Sequence, residues 1–405
     1  MNDPSRVSVS GPLGPFAAGF LHALVKLGYT PNSASSQLHL MAHLSRWLAA
    51  QRLDVQTLRK SDVERFLRAR RRAGYARWLT MKAMRPMLTY LKDKGYPLWL
   101  DAEVTSDPVN VAIDRYRQYL VHERGLAQLT VRHYTDAARP FLQNQLSTDG
   151  TEIDWQSLGA ARVTAFVVAC TPSQSRSVAR MTVTALRSLL RYLYVNGLIK
   201  QQLTAAVPAV AGWRLAALPK SLQPSEVRAL LAACDRRTRK GRRDFAVLTT
   251  LVRLGLRASE LAALRLDDIH WRAGTVLVRG KGNQIESLPW PQDVGEAVVA
   301  YLQGGRPATA IDRTLFVRVI APHRALSGIG VSEIVVTAAR RAGLGDIRAH
   351  RLRHTAATQL LRAGSPLPEI GQLLRHRHIS TTAVYAKVDR AALRSIARPW
   401  LGGAA

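Results

Sequence analysis

The sequence predicts a mainly α chain in three parts: two tandem helical modules, at 14–100 and 108–205, and a mostly helical domain with a small β-sheet or hairpin at 220–400. Three observations predict it. Apolar residues recur at helical spacing over most of the 405 residues, a length that suits two or three cores at roughly 150 residues each. MRPMLTYLKDKGY at 84–96 matches LRSLLRYLYVNGL at 186–198, pairing Arg85/Arg187, Leu88/Leu190, Tyr90/Tyr192, Leu91/Leu193 and Gly95/Gly197 at an offset of 102. Only TVLVRGKGNQIESLPW at 275–290 shifts clearly to strand period, around a Gly-Lys-Gly-Asn turn with a basic tip.

The first module opens with a long amphipathic segment, LHALVKLGYTPNSASSQLHLMAHLSRWLAAQ, and ends in a helix stopped by Gly95. The second repeats that plan, from VAIDRYRQYLVHERGLAQLTVRHYTDAARPFLQNQ to Gly197, and its ARVTAFV (161–167) sits near the place of SDVERFL (61–67). A linker at 203–227 is punctuated by Pro208, Gly212, Pro219 and Pro224. Pro224 suits the first turn of a new helix, Glu226 suits its positive end, and Val227, Leu230, Leu231 and Cys234 continue the helical period. Helices are expected at 244–254 and 258–265, with a turn at Gly255, then the hairpin, then helices to the end.

The net charge is +30, from 58 Lys and Arg against 28 Asp and Glu. So positive a surface repels itself unless a polyanion balances it, so nucleic acid is the expected partner. An anionic membrane would need an apolar span, and the longest apolar run, AFVVAC at 165–170, is far too short. Cys170 and Cys234 allow no disulfide framework or four-cysteine zinc site, and the N-terminus has no signal-peptide core. A cytoplasmic, nucleoid-associated setting is expected. Through residue 100 there are 16 Lys and Arg against 5 Asp and Glu. RARRRAG at 68–74, interleaved with Tyr75, Trp78 and Tyr90, makes Arg68, Arg70, Arg71 and Arg72 candidate phosphate contacts. A solvated helix face is the plainer alternative.

AHRLRHTAATQLL at 349–361 gathers His350, Arg351, Arg353 and His354 on little more than one helical turn, where they repel one another. As zinc ligands, His350 and His354 with His376 or His378 lack the glutamate of the zincin pattern, and Arg353 would crowd a cation. No metal and no other cofactor is expected. A phosphate fits better. Cleaving a phosphodiester through a covalent intermediate needs a nucleophile, cations on the non-bridging oxygens and an acid for the leaving hydroxyl. Arg257, just after a glycine turn at a helix start, would share the anion with free helix N–H groups. Arg353 offers a second planar fork. Lys281 at the hairpin tip can release a proton if its neighbours lower its pKa. Tyr385, in HISTTAVYAKVD, is the candidate nucleophile.

GLRASEL, VRGKGNQIESLP, HRLRHTAATQLLRAG and LLRHRHISTTAVYAKV together resemble, in order and spacing, the signature segments of the tyrosine recombinases, the phage-integrase family. Residues 108–205 are similar to that family's SAM-like, core-DNA-binding helical domain. The resemblance implies catalytic roles for Arg257, Lys281 as general acid, His350 in proton transfer, Arg353, His376 on the scissile phosphate and Tyr385 as nucleophile. His354 and Glu260 would be supporting residues, and Arg351 would point to DNA or solvent. The chain departs from the pattern at Arg375, where glycine is usual, and at Arg377 and His378, where small polar residues are usual. Arg375 and Arg377 are therefore expected on flanking phosphates. Gln284 and Glu286 replace positions that are often basic, and the 14–100 module is additional to the minimal two-domain plan.

The implied activity is site-specific strand exchange on double-stranded DNA through a 3′-phosphotyrosyl intermediate, without metal or ATP, by a homotetramer on two duplexes. The tail AALRSIARPWLGG is expected to dock on a neighbouring subunit or pack in cis. Type IB topoisomerase action and a non-catalytic DNA-binding accessory protein are the rival readings. The extra module favours integration or transposition by a mobile element over chromosome-dimer resolution.

Overall fold

The computed structural model describes residues 3–96, 107–170, 172–210, 221–280 and 284–375, together with Thr382 and Tyr385. Two compact units divide the chain: Met1–Leu100 with Ala217–Ala405, and Asp101–Ala216.

In the first unit the N-terminal helices are α1 (Ala17–Lys26), α2 (Pro31–Ala50), α3 (Lys60–Arg72) and α4 (Met81–Asp93). The amphipathic stretch expected as one segment is two helices. Gly28 takes a left-handed φ of 83°, and Thr30 caps α2 by accepting the Ser33 N–H, with Pro31 in the first turn. Phe20, Leu38, Met41, Leu44, Phe66, Met87 and Leu91 fill a core of their own. Gly28 comes so close to His323 that a Cβ there would lie 2.3 Å from its ring, so the α1–α2 turn seats against the later part of the same unit.

The second unit has α5 (Pro108–Gln118), α6 (Gln128–Gln143), α7 (Ala160–Cys170) and α8 (Arg176–Val195). Its opening stretch also breaks, through a π-helical turn at Tyr119–Glu123 and Gly125 at φ 57°. Tyr116, Leu120, Phe141, Leu189, Leu190 and Leu193 centre its core. The repeat seen in the sequence falls on equivalent helix ends. Leu88, Leu91, Leu190 and Leu193 are buried, and Gly95 (φ 88°) and Gly197 (φ 69°) each follow the last turn in the left-handed conformation.

The remainder of the first unit runs α9 (Pro224–Ala232), α10 (Arg239–Leu254), α11 (Ala258–Ala263), strands β1 (Ile269–His270), β2 (Thr275–Arg279) and β3 (Ile285–Pro289), then α12 (Gln292–Gly304), α13 (Gly328–Arg341), α14 (Ala349–Arg362) and α15 (Leu367–Leu373). The strands form an antiparallel sheet in chain order, with Val276 opposite Leu288 and Arg279 opposite Ile285. Pro224 and Glu226 act as expected, the Glu226 carboxylate accepting the Gln223 N–H at 2.7 Å. α10 starts five residues before the expected 244, because Thr238 caps it through the Gly241 N–H and its first turn is basic rather than apolar. The core joins Leu230, Leu248, Leu251, Val276, Val298, Tyr301, Phe316, Val335 and Leu352. Its start is tied to α14 by a buried hydrogen bond, in which the Leu222 N–H donates to Thr355 Oγ1 at 2.9 Å. No helix among the described residues is long and apolar enough to cross a membrane.

Candidate active site

Gly255 ends α10 at φ 57°, where a Cβ would meet Leu374 Cδ2 at 2.9 Å and Ala356 Cβ at 3.3 Å. The left-handed backbone conformation favours glycine, and the approach to Ala356 leaves little room for a side chain. The turn delivers Arg257 to the start of α11, over the side of α14 that carries His350, Arg353 and His354.

Glu260, 4 % exposed, is the anchor. Its Oε2 accepts the Arg257 N–H at 2.8 Å and the Arg375 guanidinium at 2.7 Å, and its Oε1 accepts from the Arg257 side chain. Arg353 stands 3.9 Å from the same carboxylate. Burial alone would raise the Glu260 pKa, but Arg375 and Arg257 outweigh it and hold the carboxyl below its ordinary range. The α11 N-terminus, expected to leave N–H groups for an outside anion, thus has the Arg257 N–H already taken by the chain's own glutamate.

Arg353 is 1 % exposed, and its guanidinium donates to the carbonyls of Gly255, at 2.7 Å, and Leu374. These are helix-end acceptors that need partners, so Arg353 is locked to α10 and α15 at once. Burial, then Arg257, pushes its pKa down to about 10. Three guanidiniums against one carboxylate leave two positive charges in excess around Glu260, an arrangement that favours an incoming anion.

Tyr385 is 1 % exposed and packs with Ala357, Ile370 and Leu374. Burial pushes its phenol up to about 12, against the lowering pull of Arg353. Its Oη lies 2.8 Å from Nδ1 of His354, so that histidine touches the phenol directly rather than only bracing the arginine. Burial, then His350 and Arg353, lowers the His354 pKa to about 4. His350 is exposed as a residue and sits edge-on to His354, with ring centroids 4.4 Å apart. Crowding about its ring desolvates it, and Arg353 and Arg257 add to the lowering of its pKa.

The structure therefore brings together Arg257, Glu260, His350, Arg353, His354 and Tyr385. Lys281, His376, His378, Arg377 and the tail after Tyr385 lie outside the described residues. Among the described residues, no three His, Cys, Asp or Glu side chains are grouped to hold a metal.

Two expected DNA contacts are corrected. Arg375 is not on the surface: its side chain is 3 % exposed, its backbone takes a φ of 54°, and its charge is spent on Glu260. Arg70 is 7 % exposed, with its guanidinium 4.1 Å from the Tyr75 ring and 5.8 Å from Phe66, where cation–π contact and packing claim it. Arg68, Arg71 and Arg72 are exposed, and Arg71 also donates to the Leu79 carbonyl at 2.9 Å. Arg351 is half-buried.

Sequence reasoning placed no structural role on Arg375. Its one signal was its occurrence where the resembled pattern has glycine, a position the left-handed backbone explains.

The profile described as "Phage integrase family" matches residues 220–391, and "Phage integrase, N-terminal SAM-like domain" matches residues 113–197. The chain is similar to the putative integrase/recombinase y4rA of Sinorhizobium fredii (strain NBRC 101917 / NGR234), 38% identical over 399 residues that cover 97% of this chain and 96% of the relative. It is also similar to the tyrosine recombinase XerD of Listeria innocua serovar 6a, 30% identical over 293 residues, covering 71% of this chain and 97% of that one. Among solved structures, XerH recombinase in a post-cleavage complex with a palindromic difH substrate shares the fold at a TM-score of 0.57 and 18% identity, covering 72% of this chain and 97% of that chain. A lambda integrase dimer bound to a COC′ core site does so at 0.54 and 18%, covering 73% and 98%.

Proposed function

The chain belongs to the phage integrase family of tyrosine recombinases, and from that premise we propose which of its residues carry the chemistry and on what assembly. It is a site-specific recombinase that cleaves and rejoins DNA strands. One observation carries the residue assignment: a buried phenol, an imidazole 2.8 Å from its hydroxyl and two arginines converge where positive charge exceeds negative.

Tyr385 attacks a DNA phosphate, giving a 3′-phosphotyrosyl link and a free 5′-hydroxyl. Because the bond is exchanged rather than hydrolysed, its energy is kept for rejoining. Arg257, partly exposed and oriented by Glu260, and Arg353, fixed on two carbonyls, hold the non-bridging oxygens and oppose the charge that grows in the transition state. His350 takes part in proton transfer. Lys281 as general acid and His376 on the phosphate complete the set by resemblance.

The substrate is double-stranded DNA carrying a recombination site. A homotetramer on two duplexes supplies the four active sites that exchange of four strands requires. Residues 14–100, 108–205 and 220–400 serve as a supplementary DNA-binding module, the core-binding domain and the catalytic domain, and the supplementary module favours a mobile-element integrase or transposase. Such a substrate puts its work in the cytoplasm, at the nucleoid.

The test is selection from a library of nicked duplexes with a randomised segment, in which loss of the short strand traps the covalent complex. The wild-type chain is expected to yield a denaturant-resistant protein–DNA band, and Tyr385→Phe none. A band that persists in Tyr385→Phe sinks the assignment.

A further inference from the structure

We propose that His354 is itself a catalytic residue: its Nδ1 takes the Tyr385 proton as the phosphate is attacked and returns it when the strands are rejoined. The inference rests on the reading of Tyr385 as nucleophile.

The phenol's surroundings frame the problem. A tyrosine 1 % exposed cannot hand its proton to bulk water where it stands. It cannot attack as a bystander phenolate either, since burial favours the protonated form. Arg353, the cation facing it, has no lone pair with which to accept a proton. Glu260 is engaged by Arg257 and Arg375. His354 stands at 2.8 Å through Nδ1, within the reach a general base needs. With hydrogen on Nε2, its Nδ1 offers a lone pair to the phenol. Burial, then His350 and Arg353, disfavours the imidazolium, so the Nδ1 lone pair is left available to the phenol. One turn away on α14, exposed His350 lies edge-on to it.

The step balances. The Oη–H bond breaks and its proton goes to Nδ1. The Oη–P bond forms and the P–O5′ bond breaks, and the departing O5′ takes a proton from the general acid proposed above, the Lys281 ammonium. His354 is left as imidazolium beside a phosphate that offsets its charge. In rejoining, the 5′-hydroxyl gives its proton to the Lys281 amine, O5′ attacks phosphorus, and the departing Oη recovers its proton from His354. One group serves both directions, as reversibility demands.

Bracing and proton transfer separate experimentally. The full-length chain is assayed for covalent complex formation on the nicked duplex recovered by selection, with Tyr385→Phe as the blank. If the wild-type chain forms no covalent complex, or the blank does, the reading of Tyr385 fails, and this inference with it. His354→Asn keeps an acceptor near the Nδ1 position without its basicity, and should slow the step by roughly 100-fold at neutral pH. Placing 3,5-difluorotyrosine at 385 makes the phenol more acidic and should restore at least about tenfold of that loss, whereas a 5′-bridging phosphorothiolate, which relieves only the leaving group, should restore none. In the wild-type background the same fluorotyrosine should change the rate far less. A His354→Asn rate within about threefold of wild type overturns the proposal, as does rescue by the phosphorothiolate but not by fluorotyrosine. If His354→Asn does not fold, the fluorotyrosine series in the wild-type chain decides: a shallow dependence on phenol acidity supports proton transfer to a base, and the full dependence of an unassisted phenolate overturns it.

Discussion

Arg375 reaches across the site to Glu260, placing its Nη2 2.7 Å from Oε2 while its own backbone is held at a φ of 54°. A non-glycine residue in that region costs about 1–2 kcal/mol, which the buried ion pair must offset. Arg375→Ala and Arg375→Gly both remove the cation, but only alanine keeps the strain. Arg375→Ala is expected to be less stable than Arg375→Gly by about 1 kcal/mol in urea melts. Equal midpoints would show that the conformation carries no such cost.

Glu260 and His354 set the response to acid. The Glu260 pKa is lowered in the fold, so its stabilisation is present above the unfolded carboxylate value and is lost as pH falls through the folded one. His354 is depressed from 6.5 to about 4, so between those values the unfolded chain takes up a proton that the folded chain refuses. Stability should therefore fall as pH drops from about 6.5 toward 4. His354→Asn should flatten that limb by about 1–2 kcal/mol, a figure reduced for the solvent that reaches part of the ring. An unchanged slope in His354→Asn, measured by urea melts at stepped pH, would place the effect elsewhere.

The arginines of α3 divide by burial. Arg68→Ala, Arg71→Ala and Arg72→Ala should each weaken binding to any duplex and reduce the slope of log affinity against log salt by about 1. Arg70→Met should leave that slope unchanged and lower the melting midpoint, because Arg70 is packed over Tyr75. A salt slope that drops with Arg70→Met would show that the guanidinium swings out to DNA.

This division marks where sequence reading stopped. The hairpin, the Pro224–Glu226 helix start and the set Arg257, Arg353, Tyr385 were legible because each rests on local chemistry: a turn, a cap, or residue types a phosphate demands. Arg70 and Arg375 were read as surface charge because what claims them is tertiary. The partner of Arg375 lies 115 residues upstream, and no spacing in RHRHIS announces it. The break at Gly28 and Pro31 was visible in the sequence, but an unbroken amphipathic period overrode it. The start of α10 was hidden for the opposite reason, since a basic first turn carries no apolar period. The His354–Tyr385 contact joins two residues that were both singled out, and only the fold shows which imidazole nitrogen meets the phenol.

A phosphate entering the site should offset part of what lowers the His350 pKa. After desolvation, the charges lowering His350 are Arg353 and Arg257, the two groups proposed to grip the non-bridging oxygens. An anion between them cancels part of their field and favours imidazolium, so the His350 pKa should rise on binding. By linkage, binding then takes up protons, and affinity for a phosphate analogue should strengthen as pH falls through the raised His350 pKa of the bound state toward the lowered one of the free state. Orthovanadate is a suitable probe, with the His350 ring followed by NMR titration and assigned by loss of the signal in His350→Asn. An upward shift is the expected result. A His350 resonance whose titration is untouched by saturating vanadate would place the anion away from Arg257 and Arg353, and the phosphate site would have to be sought elsewhere on α14.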